Sequence, residues 1–178
     1  SIGYQASIVI TPQQEADMDI KATLNNLLIP YTSNYAGTLL PGIREYTVTP
    51  GEKTTTISGK GKAGLKQEEN YYFFYLPVCY KGITGKSYAY YNTSRSKNLY
   101  LPASVDENYS YDIQLPENLT LCTPIQEKKI DNPIGSFKIT LTSEGSSLHI
   151  ELALQIKKQL ITPAEYPAFR SLITEWTD

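Results

Sequence analysis

The chain is poor in the residues on which most catalytic and metal chemistry depends. Its 178 residues include two cysteines, one histidine, one methionine and one tryptophan. Two cysteines, Cys79 and Cys122, exclude a disulfide-dense miniprotein and a zinc site built from cysteine alone. Separate cysteines are expected, because buried cysteine without a bridge is common; one bridge would add about 4 kcal/mol in the chain-entropy picture. Basic excess is also missing: 16 Lys and Arg face 18 Asp and Glu, for a net charge of −2. Such a surface offers little to neutralise phosphates, so nucleic acid is excluded as an expected partner. No apolar run approaches the ~20 residues that cross a bilayer as a helix. The first ten residues, SIGYQASIVI, carry neither a starting methionine nor a charged segment leading into an apolar one. No signal peptide is read there, and the chain is expected to be a processed product or a piece of a longer protein.

What is present is tyrosine. There are 15, against four phenylalanines. Tyrosine suits half-buried strands, where the ring packs and the hydroxyl reaches water. Hydrophobic residues make up 40% and charged residues 19%, a globular composition. Short β-like runs follow one another. DIKATL alternates Ile20, Ala22 and Leu24. IREYTV follows a break at Pro41-Gly42. NYYFFYLPVCY is apolar throughout, the pattern of a strand covered on both faces, with Pro77 breaking it or placing it at an edge. KSYAYYNTSR carries Tyr88 and Tyr90. YSYDIQL alternates Tyr109, Tyr111, Ile113 and Leu115, and Pro116 suits a turn.

The clearest pair comes last. SFKITLT puts Phe137, Ile139 and Leu141 on one face. After the turn SEGS, SLHIELALQIKK does the same with Leu148, Ile150, Leu152, Leu154 and Ile156. Period two sustained this long predicts a long amphipathic strand. Many short strands between Gly, Pro and Asn turns predict a mainly β fold, an antiparallel β-sandwich. One domain over 1–178 is favoured. The alternative divides the chain at the Gly-rich stretch 58–70, into a small β subdomain (1–60) and a β-sandwich (70–178).

The chain closes on a predicted short α-helix at about 163–176. Thr162 can cap it, and Glu165 three residues on completes a capping box. Pro163 suits the first turn. Pro167 argues that the regular helix starts only near that residue. Tyr166, Phe169, Ile173 and Trp176 form one apolar stripe, expected to seal an open end or edge of the sandwich.

The candidate chemistries are weak. GKGKAG, residues 59–64, matches a dinucleotide fingerprint, but no acid stands near position 84 and only a short stretch follows before Tyr71. A loop is expected there, and no cofactor. By period two His149 falls on the polar face with Glu151 and Gln155, so a solvated strand histidine is expected. Cys79 and His149 could be proposed as nucleophile and base, but Cys79 sits in an aromatic strand run rather than at a helix start or in an electropositive pocket. VDENYSYD and QEADMD lack the loop spacing of a calcium-binding hand, and no metal is expected. No catalytic residue is assigned. Tyr88, Tyr90 and Tyr91 with Arg95 are the weak binding candidates, as an aromatic platform for glycan or extended peptide; a cross-strand tyrosine ladder on a sheet face is the plainer reading.

The last eighty residues carry a resemblance. NLYLP, YDIQLPENL and IDNPIGSFKITLTSEGSSLHIELALQIKKQLITPAEYPAFRSLITEW resemble the uncharacterised C-terminal domain that follows the catalytic core in transglutaminase-like proteins of Bacteroides-type bacteria. The matching features are the turn Leu115-Pro116, the strand Gly135 to Phe137, the strand end at Lys157 or Lys158, and Ile161 to Trp176. The first hundred residues fit only loosely. The resemblance implies a non-catalytic accessory β-sandwich beside the transglutaminase-like core of its own parent chain, in a periplasmic or extracellular protein. It carries over no catalytic residue, because the chain has no helix-start cysteine and its one histidine lies within the module's own strand.

Overall fold

The computed structural model describes residues 15–25, 43–79, 83, 94–101, 103–122 and 126–177. Over these residues the fold is mainly β and antiparallel, with one short C-terminal helix. Seven strands form the main sheet: β1 (Glu15–Asn25), β2 (Ile43–Pro50), β3 (Thr54–Gly64), β7 (Val105–Gln114), β8 (Glu127–Asn132), β9 (Gly135–Glu144) and β10 (Ser147–Ile156). Their order across the sheet is β2-β3-β1-β7-β10-β9-β8. Two short ladders stand apart: β4 (Lys66–Glu68) with β5 (Tyr71–Phe73), and β6 (Leu99–Tyr100) with β11 (Leu160–Ile161).

Alternation along the strands sorts the side chains onto two unlike faces. In the central register Ile20 pairs with Tyr111, and Tyr111 with Ile150. Ala22, Tyr109 and Leu152 make the next row. All six are buried, as are Leu148, Leu154 and Ile156, so the predicted stripes share one core face. The opposite face is polar across its width. One row runs Lys60, Asp19, Asp112, His149 and Thr142 from β3 to β9.

Helix α1 (Tyr166–Thr177) covers part of the core face. Tyr166, Phe169, Leu172, Ile173 and Trp176 are all buried, each worth about 1.5–3 kcal/mol of burial. The Trp176 ring lies 5.7 Å from Tyr109 and meets Phe137 edge-on at 6.4 Å. The predicted capping box is present. The Thr162 N–H donates to Glu165 Oε2 at 3.1 Å, and the Glu165 N–H reaches Thr162 Oγ1 at 3.4 Å. Regular helix begins at Tyr166, beyond a turn, so Pro167 falls in the first turn, where its missing N–H breaks no helical bond. The β8–β9 hairpin fixes the helix from the other side. Asn132 accepts from the Ile134 N–H and donates to the Ala168 carbonyl, and Lys128 pairs with Glu175.

Gly145 and Gly135 show where geometry requires glycine. Gly145 in the β9–β10 turn has φ +58°, the left-handed region that glycine enters without strain. At Gly135 an added Cβ would overlap the Gln155 carbonyl oxygen.

Two expectations are corrected. The Gly-rich stretch is no loop over residues 58–64: these residues lie inside β3, an eleven-residue strand. It pairs with β1 along its whole length, and that pairing outweighs the low strand preference of glycine. NYYFFYLPVCY is not covered on both faces. Phe74, Leu76 and Val78 pack on the core, while Tyr71, Phe73 and Tyr75 point outward and stay exposed.

Candidate functional site

Among the described residues, four places could carry chemistry. The first is the polar sheet face. Strand register sets His149 between Asp112 on β7 and Glu151 on its own strand. Nδ1 lies 2.7 Å from Asp112 and Nε2 2.8 Å from Glu151. Hydrogen bonding to Asp112, with a smaller contribution from Glu151, raises the imidazole pKa above its ordinary value of 6.5. When protonated, the ring donates from both nitrogens and bridges the two carboxylates, the form that these partners favour. A broad depression of about 670 Å³ beside it is lined by Asp17, Asp19, Asp112 and Glu144. Among the described residues, no group of three His, Cys, Asp or Glu side chains is placed to hold a metal ion.

The second place is inside the core. Glu107 falls on the inward stripe of β7 and is 3% exposed. Its carboxylate accepts from the Ile83 N–H at 2.6 Å and from the Tyr109 hydroxyl at 3.0 Å. The Tyr109 oxygen in turn accepts from the Cys79 N–H at 2.9 Å, and the Tyr111 hydroxyl donates to the Pro77 carbonyl at 2.9 Å. Burial raises the Glu107 pKa, with the two hydrogen bonds opposing it. Burial also raises both tyrosine hydroxyls, and the neighbouring Glu107 adds to each. This network ties the backbone of Pro77, Cys79 and Ile83 to the sheet.

The network also settles where Cys79 and His149 lie. Cys79 is buried against Tyr109 on the core face; His149 projects from the polar face. The sheet separates them, so the structure does not bring them together as nucleophile and base. No disulfide joins Cys79 to the exposed Cys122.

The third place is a cleft of about 460 Å³ along α1. Its lining includes Arg95, Tyr166, Arg170, Ser171 and Glu175. The Arg95 guanidinium stands over the Tyr166 ring, 5.7 Å from its centroid, a cation–π arrangement that holds it in place. Of the four predicted binding residues, Arg95 is the one the structure describes; Tyr88, Tyr90 and Tyr91 lie outside the described residues. The fourth place is the outward row of Tyr71, Phe73 and Tyr75, at 55%, 49% and 89% exposure, with the first two rings 6.5 Å apart.

Arg170, Glu107 and this aromatic row were not singled out by sequence. Two of the three carried a signal. Glu107 keeps phase with Tyr109, Tyr111 and Ile113, which places a carboxylate on a buried face. In NYYFFYLPV the outward phase holds Tyr71, Phe73 and Tyr75, and one covered face suffices for the other phase.

No helix among the described residues is long and apolar enough to cross a membrane. No curated protein and no solved structure gives a significant match to the chain. One family does match, over residues 70–178, from β5 through α1. More than half of the sequence is thus accounted for, and the chain belongs to DUF3858, a family described as a domain of unknown function with a solved structure.

Proposed function

We propose that this chain is a non-catalytic accessory β domain of a larger, exported protein with a transglutaminase-like or protease-like core. In that setting it supports or orients the core, and it reaches the periplasm or the outside of the cell through the parent. The observation that carries the reading is the placement of Cys79 and His149 on opposite faces of the sheet, each already held by neighbours. A transglutaminase-type centre needs its thiol and imidazole within hydrogen-bond reach. The terminal motif from Ile161 to Trp176 supports the link to such parents, and here it is built as a structural seal.

Incubating the domain with an amine donor and a glutamine donor tests the reading. No transfer is expected; transfer abolished by Cys79→Ala would overturn it. A second reading, a module for glycan or extended peptide, is favoured by the exposed row of Tyr71, Phe73 and Tyr75. Exposed aromatic rows are common contact surfaces. Glycan-array binding lost on Tyr75→Ala would support it, and a blank array would remove the glycan branch.

A further inference from the structure

We infer that the cleft along α1 is a binding site for a carboxylate, with Arg95 and Arg170 as its two guanidinium donors. The cleft is a cavity of about 460 Å³ whose lining brings both arginines together with the hydroxyl-bearing Ser94, Ser171 and Thr174. Its volume falls in the range of small-ligand sites. Two positive charges in one cleft repel each other, and unless an anion answers them the arrangement is unfavourable. Among the described residues no carboxylate lies within ion-pair distance of either guanidinium. The one acid in the lining, Glu175, is engaged by Lys128 from β8. The geometry is therefore a pair of cations with no internal partner described.

Preorganisation favours binding over simple surface charge. Arg95 is half-buried and held over Tyr166, a ring that is itself 3% exposed. Arg170 rides on α1, one turn beyond Tyr166, and the helix is anchored through Asn132, Lys128 and the capping box. A guanidinium that is already fixed loses little freedom on forming the two parallel hydrogen bonds that a carboxylate accepts. Each planar guanidinium presents two parallel N–H donors that match the two oxygens of a carboxylate, and Glu175, paired with Lys128, leaves the two arginines to set the sign of the site. The hydroxyls complete a polar lining that suits the ligand's body, whether acidic sugar or acidic peptide. This inference stands apart from the accessory reading: carboxylate binding requires no turnover, and transfer activity would leave it untouched.

The test is an NMR titration of the whole domain at constant ionic strength. The probe is acetate, with inorganic phosphate and choline as comparisons. Acetate is expected to move the Arg95 and Arg170 side-chain NεH signals and the Ser94 and Ser171 amides saturably, and choline to leave them unmoved. Arg170→Gln, at an exposed position, is expected to weaken acetate by about tenfold or more without unfolding the chain. Arg170→Lys keeps the charge but not the fork and should restore only part of the affinity. Galacturonate and a capped glutamate tripeptide then distinguish the two sources, the tighter of them naming the ligand's body. Linear, unsaturable shifts, equal acetate binding by Arg170→Gln, or displacement of acetate by equimolar phosphate would each overturn the assignment.

Discussion

Removing Trp176 should cost the domain a large share of its stability. Its ring is 7% exposed and touches Tyr109 on β7 and Phe137 on β9, so it joins α1 to two strands at once. Truncating a buried tryptophan to alanine costs about 3–5 kcal/mol, through lost transfer energy and the cavity left behind. One feature works against the full value. The indole Nε1 is buried without a hydrogen-bond partner among the described residues, and an unsatisfied buried donor already costs about 1–3 kcal/mol. Trp176→Ala relieves that penalty, so the expected loss lies near the lower end, about 3 kcal/mol. Trp176→Phe keeps most of the ring contact and drops the orphan N–H, so it should lose under about 1.5 kcal/mol. Urea unfolding read by far-ultraviolet circular dichroism measures both, as a fall in midpoint at constant slope. A loss below about 1 kcal/mol for Trp176→Ala would mean that the helix does not seal the core, and would refute the packing argument.

Two further predictions concern pH and one concerns backbone contact. Burial raises the folded-state pKa of Glu107 above its ordinary 4.5, so the group's contribution is fully present below pH 4.5 and is lost as pH climbs through the raised value. Glu107→Gln should therefore gain on the wild type between pH 4.5 and pH 7, and a difference that stays flat with pH would contradict this. His149 is also raised, from 6.5, by partners that stabilise its charged form. Its contribution, under about 1 kcal/mol for so exposed a pair, is complete below pH 6.5 and fades as pH rises through the folded value. NMR titration should place His149 above 6.5, and Asp112→Asn should lower it more than Glu151→Gln does. Gly135→Ala drives a methyl group into the Gln155 carbonyl and should cost about 3 kcal/mol or more, read by thermal unfolding; a loss below about 1 kcal/mol would mean that β9 and β10 can separate there freely.

The sequence made most of this fold legible where hydrophobic period and burial coincide. Leu148 to Ile156 alternate without a break, and every member of that stripe is buried. The helix was readable for the same reason: Thr162 and Glu165 mark its start, and Tyr166, Phe169, Ile173 and Trp176 share one face. Legibility ended where pairing rather than composition decides. Residues 58–64 look like a loop, but an eleven-residue register with β1 holds them extended, a partner some forty residues away in the chain. The sites were less legible still. Arg95 stood out beside its tyrosines, yet its companion Arg170 lies 75 positions on and meets it only because α1 packs beside that segment. Glu107 shows the opposite case: its phase with Tyr109 was visible, but a carboxylate in an inward phase looks like a strand irregularity until its donors, Ile83 and Tyr109, are in place.

The central claim, a β domain that does no chemistry of its own, meets its most direct test in a transfer assay. The domain is incubated with a labelled amine and a glutamine-bearing peptide, alongside its Cys79→Ala and His149→Gln variants. No incorporation above background is expected for any of the three. Incorporation by the wild-type domain that disappears in both variants would contradict this, because it would require the two faces of the sheet to meet.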